Sequence, residues 1–349
     1  MQALVLAGGE GTRLRPLTLS VPKPVMPLAG RPFLSFMLDW LGRHGVDEAI
    51  LSCGFKSEAV EDVLGDSHDG IRLHYVVEDE PLGTAGPVRL AADRGLVSGR
   101  LLVLNGDTLT DLDLTAEVEQ HERLRAVATL ALVAVADTSS YGSVPTAPDG
   151  RVEAFLEKTE SPPTNRINAG AYVLEPAVID RIPAGRPVSF EREVFPTLVG
   201  EGLYGYMAEG YWIDIGTRER YLEATYDLLA GRVESSLPPR DETGSLVGEG
   251  CITSGARIGP MSVLGRRCSV GDHSIVGRSV LHDNVRVGAD CVVEGAVLAE
   301  RVRIGDGVHV EETAVVGAGA RVEAGARVAR GALVEPGAEV GSGETVARA

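Results

Sequence analysis

A glycine-rich stretch near the amino terminus carries the residue types that bind phosphate. It runs Leu4-Val-Leu-Ala-Gly-Gly-Glu-Gly-Thr-Arg-Leu-Arg-Pro16, and Lys23 follows shortly after it. The glycines are Gly8, Gly9 and Gly11. They let the backbone turn with its N–H groups pointing into one concavity, while Arg13 and Lys23 add fixed positive charge. Because the apolar run 3–7 predicts a buried parallel strand, we expect a polyphosphate-binding loop at the carboxyl end of that strand.

Two familiar phosphate-binding loops are excluded by the spacing. A P-loop needs four residues between its glycines and then Gly-Lys-Ser/Thr, which this segment lacks. The dinucleotide-binding fingerprint needs a third glycine where Leu14 stands. Taken alone, the stretch could still be an ordinary glycine-rich turn between a strand and a helix.

Two aspartates follow predicted strands at their carboxyl ends. Asp107 ends the segment Leu104-Asn-Gly-Asp107, and Asp214 lies within Gly210-Tyr-Trp-Ile-Asp-Ile-Gly216. Two carboxylates brought to one pocket would hold a hard divalent cation such as Mg²⁺, which prefers oxygen ligands and substrate phosphates. Each aspartate taken singly has a simpler interpretation, because loop aspartates commonly accept hydrogen bonds from turn N–H groups.

A second set of polar residues suits a phosphorylated sugar. Glu157 can accept hydrogen bonds from sugar hydroxyls, and Lys158 can bind the phosphate of the sugar as a point charge. In the segment Asn168-Ala-Gly170, the amide of Asn168 offers both donors and an acceptor. Gly142 leaves a backbone N–H open where a larger side chain would block a ligand.

Length and composition set the protein class. A chain of 349 residues is long enough for about two domains, and its net charge of −17 makes nucleic acid and anionic membranes unsuitable partners. The longest apolar stretch, 126–136, is about half a membrane span, and the first residues lack the basic region of a signal peptide. The four cysteines show neither CxxC nor metal-ligand spacing, so we expect reduced thiols in a cytoplasmic protein.

Apolar runs alternate with helical patterns through the first two thirds of the chain. Strands are predicted at 3–7, 49–53, 73–77, 101–104, 126–135, 152–157, 169–174, 203–207 and 211–213. Helices are predicted at 33–44, 57–64, 84–94, 115–124 and 218–230. This alternation predicts an α/β fold with a Rossmann-like, mostly parallel sheet and helices on both faces.

The period of the apolar pattern changes after a linker at 233–244, which is rich in proline and charged residues. From Leu298 to Val346 an aliphatic residue recurs at every sixth position, and earlier frames slip by one residue between 276 and 281 and between 293 and 298. Six-residue repeats are typical of a left-handed parallel β-helix, with three repeats to a turn. We therefore predict a catalytic domain at 1–232, the linker, and a β-helix domain at 245–349.

The order of these motifs resembles the sugar-1-phosphate nucleotidyltransferases over about residues 1–230. The resemblance implies transfer of a nucleotide from a nucleoside triphosphate to a sugar 1-phosphate, with Mg²⁺ as cofactor. The nucleotide-binding residues that it implies are Leu6, Ala7, Gly8, Gly9, Gly11, Thr12, Arg13, Lys23, Glu78, Gly83, Thr84 and Asp107. The implied sugar-phosphate residues are Gly142, Glu157, Lys158, Asn168 and Gly170. The implied catalytic residues are Arg13, Lys23, Asp107, Lys158 and Asp214, with Asp107 and Asp214 binding the metal.

Three further segments resemble the mannose-1-phosphate guanylyltransferases within that family. They are Glu80-Pro-Leu-Gly-Thr-Ala-Gly-Pro87, Phe190-Glu-Arg-Glu-Val-Phe-Pro196 and Gly210-Tyr-Trp-Ile-Asp-Ile-Gly-Thr217. Thymidylyl- and uridylyltransferases typically place a glutamine where Glu78 stands, to pair with a pyrimidine. A carboxylate can instead accept from the N1–H and the exocyclic amine of guanine, so Glu78 favours GTP if it reaches the base, with Glu80 as the other candidate.

Several alternatives stay open at this point. The substrate pair could be that of a glucose-1-phosphate thymidylyl- or uridylyltransferase, or of a guanylyltransferase for another sugar such as a heptose. The chain could also be a non-catalytic subunit that senses nucleotide-sugar, or its tail could transfer acyl groups through His273, His282 or His309. The flat faces of the predicted β-helix favour a homo-oligomer assembled through that domain.

Overall fold

The computed structural model describes residues 1–54, 56–138, 141–156 and 162–348. The chain divides into two compact units, Met1–Gly9 with Leu34–Trp212 and Glu10–Phe33 with Ile213–Ala349. The domain boundaries at 232 and 245 stay a prediction. Within the described part of the chain, none of the helices is long and apolar enough to cross a membrane.

Strands and short helices alternate from the start of the chain to residue 230. The strands are β1 Gln2–Leu6, β2 Pro27–Leu28, β3 Arg31–Pro32, β4 Glu48–Cys53, β5 Ser67–His68, β6 Ile71–Val77, β7 Leu101–Asn105, β8 Thr108–Thr110, β9 Ala128–Ala134, β10 Arg166–Leu174, β11 Leu203–Met207 and β12 Trp212–Asp214. The α-helices are α1 Leu17–Ser20, α2 Phe33–Arg43, α3 Ser57–Leu64, α4 Gly86–Asp93, α5 Leu114–Leu124, α6 Pro176–Asp180, α7 Phe195–Leu198 and α8 Arg218–Ala230. Short 3₁₀ turns lie at Thr12–Leu14 and Lys23–Val25, and a π-helix lies at Phe190–Val194.

An eight-stranded sheet forms the centre of the first unit, in the order β11-β9-β10-β7-β1-β4-β6-β5. All of its strands run in one direction except β10 and β5, which pair antiparallel with their neighbours. The central strands are apolar on both faces and fully buried, as Leu4 in β1 and Val103 in β7 show. This confirms the predicted α/β class, and it brings the carboxyl ends of β1, β4, β6 and β7 to one edge of the sheet.

The predicted ends of the helices and strands agree closely with those in the structure, with one exception. Helices α3 and α8 and strand β11 begin and end where the sequence pattern places them. The strand predicted at 152–157 is wrong over its described residues, where only isolated bridges occur. Val152 donates its N–H to Leu203 while Leu156 pairs with Ser143, so the segment changes partner and forms no continuous ladder. Glu157 lies outside the described residues.

A three-sided parallel β-helix makes up most of the second unit. Its strands are β13 Leu246–Val247, β14 Arg257–Ile258, β15 Val263–Leu264, β16 Ser269–Val270, β17 Ile275–Gly277, β18 Val280–Leu281, β19 Arg286–Val287, β20 Val292–Glu294, β21 Val297–Leu298, β22 Arg303–Ile304, β23 His309–Val310, β24 Val315–Val316, β25 Arg321–Val322, β26 Arg327–Val328, β27 Leu333–Val334, β28 Glu339–Val340 and β29 Thr345–Val346. From β14 to β26 each strand pairs in parallel with the strand three positions later, and β13 pairs with β15, giving three sheets. This confirms the predicted hexapeptide repeat.

The interior of the β-helix contains the predicted aliphatic column and a second column that the sequence analysis did not identify. From Ser262 to Ala332, the residue two positions before each aliphatic one is also buried, and it is small or β-branched, as in Ala314 and Ala320. The two frame slips fall on one face, because β17 and β20 pair in register there. Two successive coils are therefore each shortened by one residue at the same corner.

Helix α8 packs on these shortened coils within the second unit. The guanidinium of Arg278 lies 4.5 Å from the ring centroid of Tyr226, whose hydroxyl donates to the Arg278 carbonyl. One turn earlier, the Tyr221 hydroxyl donates to the Pro27 carbonyl at 2.6 Å. That hydroxyl therefore accepts from Nε2 of His282, 3.0 Å away, which fixes the neutral tautomer with its proton on Nε2.

Titration of His282 should weaken the folded state in acid. Burial lowers the pKa of this imidazole from its ordinary 6.5 to about 4, because the charged form loses its hydration. A lowered histidine pKa leaves stability intact above pH 6.5 and removes it as the pH falls from 6.5 to 4. Over that range the wild type should lose about 3 kcal/mol more free energy of unfolding than His282→Gln, measured by urea unfolding.

The matched control for this experiment is His273→Gln, because the His273 side chain is 81% exposed. That variant should keep the pH slope of the wild type. Equal slopes for His282→Gln and the wild type would show that His282 does not titrate as its burial requires.

Candidate active site

The predicted phosphate loop leaves β1 at the carboxyl edge of the sheet. There its backbone lies close to the backbone of the turns that follow β4 and β7. A Cβ on Gly54 would stand 2.9 Å from the carbonyl oxygen of Gly8. A Cβ on Gly106 would stand 2.7 Å from the carbonyl oxygen of Leu6, to which Gly106 also donates its N–H at 2.9 Å. Both contacts need glycine. They bring the end of β7, and with it Asp107, next to the end of β1.

The carboxylate of Glu78 braces this loop from the end of β6. It accepts from the Ser52 hydroxyl at 2.7 Å and from the Leu82 N–H at 2.9 Å, and a Cβ on Gly8 would meet it at 2.9 Å. Glu80, the other candidate for contacting a base, is exposed. Glu78 therefore lies beside the loop, where it has a structural role that sequence reasoning did not assign, and its contact with a base stays a prediction.

The Gly83-Thr84 pair is held against the segment that precedes the π-helix. Gly83 has a φ of +76°, and a Cβ there would stand 2.5 Å from the Val188 carbonyl oxygen. The Thr84 hydroxyl donates to Glu191 at 2.9 Å and accepts from the Phe190 N–H at 2.8 Å. The two predicted nucleotide-binding residues thus have a fixed backbone and a fixed hydroxyl orientation.

On the predicted sugar side, Asn168 and Gly170 lie in the irregular part of β10. Gly170 has a φ of +75°, and a Cβ there would overlap the Asn105 side chain. The Asn168 amide accepts from the Gly170 N–H at 2.9 Å and donates to the Tyr172 hydroxyl at 2.8 Å. Complete burial raises the pKa of Tyr172 well above its ordinary value of 10, so this hydroxyl keeps its proton.

A cavity of about 410 Å³ opens beside Gly142 and Asn168 in the first unit. A Cβ on Gly142 would stand 2.7 Å from the Leu156 carbonyl oxygen, so the chain can pass here only as glycine. The walls of the cavity include Tyr141, Phe155, Ser189, Glu191 and Arg192. Glu157 and Lys158, which the sequence analysis assigned to this side, lie outside the described residues.

In the second unit, Gly11 turns the chain and Lys23 lies beside it. Gly11 has a φ of +62°, and its carbonyl accepts from the Thr18 hydroxyl at 2.8 Å. A Cβ on Gly11 would stand 3.4 Å from Cβ of Lys23, a residue only 8% exposed. The Thr12–Leu14 turn then carries Thr12 and Arg13, both exposed.

The side chains of Arg13 and Asp214 both approach Gly216, another glycine of the second unit. A Cβ on Gly216 would stand 2.9 Å from Nη2 of Arg13 and 3.1 Å from Oδ2 of Asp214. Opposite charges therefore share one side of the Gly216 backbone. The planar, delocalised charge of the Arg13 guanidinium suits the binding of phosphate oxygens.

Each unit thus gathers its own share of the predicted residues. The first unit holds Leu6, Ala7, Gly8, Gly9, Glu78, Gly83, Thr84, Asp107, Gly142, Asn168 and Gly170. The second holds Gly11, Thr12, Arg13, Lys23 and Asp214. Sequence reasoning missed Tyr172 and Glu191, although the segment that contains Glu191 was singled out by its likeness to a family motif.

One other cluster contains potential metal ligands within the described ranges. Ligand atoms of Asp39, His68 and Asp69 lie within 4.8 Å of one another. Nε2 of His68 is 2.6 Å from Oδ1 of Asp39, so the pair fastens the β5–β6 hairpin to α2. None of the predicted site residues belongs to this cluster.

Comparison with known proteins settles the family. Residues 2–231 match the family model of the nucleotidyl transferases. This chain belongs to the nucleotidyl transferase family. Residues 242–346 of this nucleotidyl transferase match the model of the LbH domain of EIF2B subunit epsilon, which agrees with the three-sided β-helix.

Individual proteins show which members of this family the chain is similar to. The chain is 45% identical over 268 residues to the mannose-1-phosphate guanylyltransferase of Mycobacterium tuberculosis, covering 76% of this chain and 73% of that protein. It is 37% identical to mannose-1-phosphate guanylyltransferase 1 of Arabidopsis thaliana, covering 77% of each. The crystal structure of HddC from Yersinia pseudotuberculosis, complexed with GMP-PN, is 32% identical with a TM-score of 0.55, covering 64% of this chain and 97% of that one.

Substitution of Gly170 should harm both folding and turnover. Gly170→Ala adds the strain of a positive φ and forces Asn105 to move, so we expect a loss of about 3 kcal/mol in free energy of unfolding. Asn105 ends β7 two residues before Asp107, so its displacement should also lower the rate of nucleotidyl transfer at least about tenfold. Urea unfolding and the rate of pyrophosphate release measure the two effects.

Gly95→Ala is the matched control, because Gly95 has a φ of +71° and a Cβ added there would meet no atom within 4 Å. It should cost about 1 kcal/mol and leave turnover unchanged. Equal losses in the two variants would mean that the approach of Asn105 to Gly170 contributes nothing.

Proposed function

We propose that this enzyme transfers the guanylyl group of GTP to mannose 1-phosphate, giving GDP-mannose and pyrophosphate. The observation that carries the proposal is the 45% identity with a mannose-1-phosphate guanylyltransferase across 76% of the chain. The glycine contacts at the carboxyl edge support it, because they suit a polyphosphate ligand. Thymidylyl and uridylyl transfer, a heptose substrate, and a non-catalytic sensor have no specific observation in their favour.

The preference for guanine is assigned to Glu78. Its carboxylate has no proton to donate to a pyrimidine carbonyl, whereas it can accept from the N1–H and the amine of guanine. Ser52 and Leu82 each donate to one of its oxygens, and each oxygen has a further lone pair. The GMP-PN complex of HddC, a relative at 32% identity, agrees with a guanine nucleotide.

The chain needs no general base for the proposed reaction, because the attacking phosphate oxygen of the sugar 1-phosphate is already anionic. This oxygen attacks the α-phosphorus of GTP, and the bond to the leaving pyrophosphate breaks. Backbone N–H groups of Gly8, Gly9 and Gly11 are assigned to the phosphates, with Arg13 and Lys23 neutralising the leaving group. Catalysis is then mainly positioning, which can contribute about 7–11 kcal/mol.

Two carboxylates are assigned to Mg²⁺. Asp107 and Asp214 offer only hard oxygen donors, and both side chains are half-buried. This donor chemistry fits Mg²⁺. When bound, the ion would neutralise charge on the phosphates.

The sugar 1-phosphate is assigned to the 410 Å³ cavity. Asn168 and the backbone at Gly142 and Gly170 would contact the sugar. Glu157 would accept from sugar hydroxyls, and Lys158 would bind the incoming phosphate.

The β-helix is assigned to assembly, with a homo-oligomer formed through its faces. Acyl transfer by this domain finds no support at His282, which is 5% exposed and bonded to Tyr221. His273 and His309 are exposed, and the acid beside His273, Asp290 with its Oδ1 at 3.5 Å from Nδ1, is exposed as well. We also assign the enzyme to the cytoplasm, because all four cysteines are free thiols.

The substrate pair is tested by a matrix of GTP, ATP, UTP and dTTP against mannose 1-phosphate and glucose 1-phosphate, with Mg²⁺ and with EDTA. Pyrophosphate release should be fastest with GTP and mannose 1-phosphate, and EDTA should abolish it. Asp107→Ala should lower kcat at least about hundredfold at saturating substrate, because one of the two carboxylates assigned to the phosphate-neutralising Mg²⁺ is lost.

Asp93→Ala, which removes an exposed carboxylate of α4, serves as the control and should keep the wild-type kcat. Normal turnover by Asp107→Ala would remove Asp107 from the mechanism. A preference for another substrate pair would overturn the assigned specificity while leaving the family intact.

Nucleotide choice is tested by Glu78→Gln. The amide presents a donor where guanine also donates, so kcat/KM for GTP should fall at least about tenfold and the ratio of GTP to UTP activity should fall with it. Glu80→Gln is the companion variant. If only Glu80→Gln changes the ratio, the base contact belongs to Glu80.

A further inference from the structure

A π-helix carries an unassigned carboxylate into the wall of the 410 Å³ cavity. Helices of this type are rare and occur mostly at functional sites. The turn begins after Ser189, whose side chain accepts from the Arg192 N–H at 3.3 Å. Glu191 lines the cavity, whereas Glu193 of the same turn is exposed and pairs with Arg186 at 2.7 Å.

The Glu191 carboxylate collects donors from three separate segments. Oε2 accepts from the Thr84 hydroxyl at 2.9 Å and from the Ser189 hydroxyl at 2.8 Å. Oε1 accepts from the Tyr172 hydroxyl at 3.4 Å. One side chain therefore joins the predicted nucleotide-binding Thr84 to the strand that carries Asn168.

The direction of each hydrogen bond in this chain is fixed by chemistry. A carboxylate only accepts, so Tyr172 must donate its single proton to Glu191. The Tyr172 oxygen can then only accept, and it takes an N–H from Asn168 at 2.8 Å. The Asn168 oxygen is thereby turned toward the Gly170 N–H, 2.9 Å away. Among the described residues, one N–H and one oxygen lone pair of Asn168 are left for a ligand in the cavity.

We propose that Glu191 is a positioning residue for sugar 1-phosphate: through the buried Tyr172 hydroxyl, it fixes which end of the Asn168 amide faces the sugar. The proposal rests on the assignment of this cavity to the sugar phosphate. Tyr172 is fully buried, so Glu191 acts on the ligand through Asn168. The partner chemistry is a sugar hydroxyl that accepts from, and donates to, the remaining groups of the amide.

Glu191→Gln separates this role from general packing. The glutamine oxygen can still accept from Thr84 and Ser189, so the nucleotide side keeps its contacts. Its NH₂ group then faces Tyr172 and donates where the carboxylate accepted. Tyr172 loses its acceptor, and the polarity that holds the Asn168 amide is lost.

The experiment compares steady-state kinetics of the full-length wild type, Glu191→Gln and the control Glu193→Gln. In Glu191→Gln, KM for mannose 1-phosphate should rise about tenfold, while KM for GTP changes less than about twofold, a split that a loss of folding would not produce. Glu193→Gln should match the wild type. An unchanged KM for mannose 1-phosphate in Glu191→Gln would overturn the proposal.

A double-variant cycle tests whether the effect passes through Tyr172. Tyr172→Phe should raise KM for mannose 1-phosphate by a similar factor, and the double variant should be no worse than either single one. Additive rises would show independent roles and refute the relay. If Tyr172→Phe does not fold, the comparison of Glu191→Gln with Glu193→Gln decides.

Measurement of the wild type distinguishes failure of the Glu191 proposal from failure of the function proposed above. If the wild type does not use GTP with mannose 1-phosphate, that assignment fails. The same variants are then compared with the sugar phosphate that the activity matrix identifies. A KM for that sugar phosphate that stays at the wild-type value in Glu191→Gln again overturns the relay.

Discussion

Close approach of backbone to backbone at one edge of the central sheet constrains the rest of the first unit. Strands β1, β4 and β7 run parallel and leave the sheet side by side, and the turns that follow them touch at Gly8, Gly54 and Gly106. A Cβ at Gly54 or Gly106 would push these turns apart. Because the turns stay together, backbone N–H groups can face one ligand, and Asp107 follows β7 directly beside the end of β1.

Two partly buried carboxylates hold the segments that surround this edge, and both follow the same physical rule. Removing a carboxylate from water is costly unless several donors replace the lost hydration. Glu78 obtains donors from Ser52 and Leu82, and Glu191 obtains them from Thr84, Ser189 and Tyr172. Each acid thereby joins segments that are distant in sequence. Their position next to the assigned ligand sites makes the same hydrogen bonds available for orienting substrate-contacting groups.

The second unit relies on repetition in place of individual contacts. Each side of a coil from Ser262 to Val334 places one aliphatic side chain and one of equal or smaller size inside, so no single residue dominates the core. The two short sides stack on each other, which confines the irregularity to one face. There α8 adds specific bonds, from Tyr226 to Arg278 and between Tyr221 and His282. The core of the β-helix is thus regular, whereas the surface of its two shortened coils makes specific contacts with α8.

The sequence alone determined the features that depend on local pattern. Continuous apolar runs and the periods of 3.6 and of six indicated the α/β class, the bounds of α3 and α8, and the hexapeptide coils, because burial repeats with the geometry of each element. The glycines of the predicted phosphate loop could be identified from the sequence because their type and close spacing are themselves local features. Tertiary structure alone decided the partners of Glu78, Tyr172 and Glu191, and the failure of the strand at 152–156. Those outcomes depend on which distant donors reach an acceptor in three dimensions, and no spacing along the chain encodes that distance.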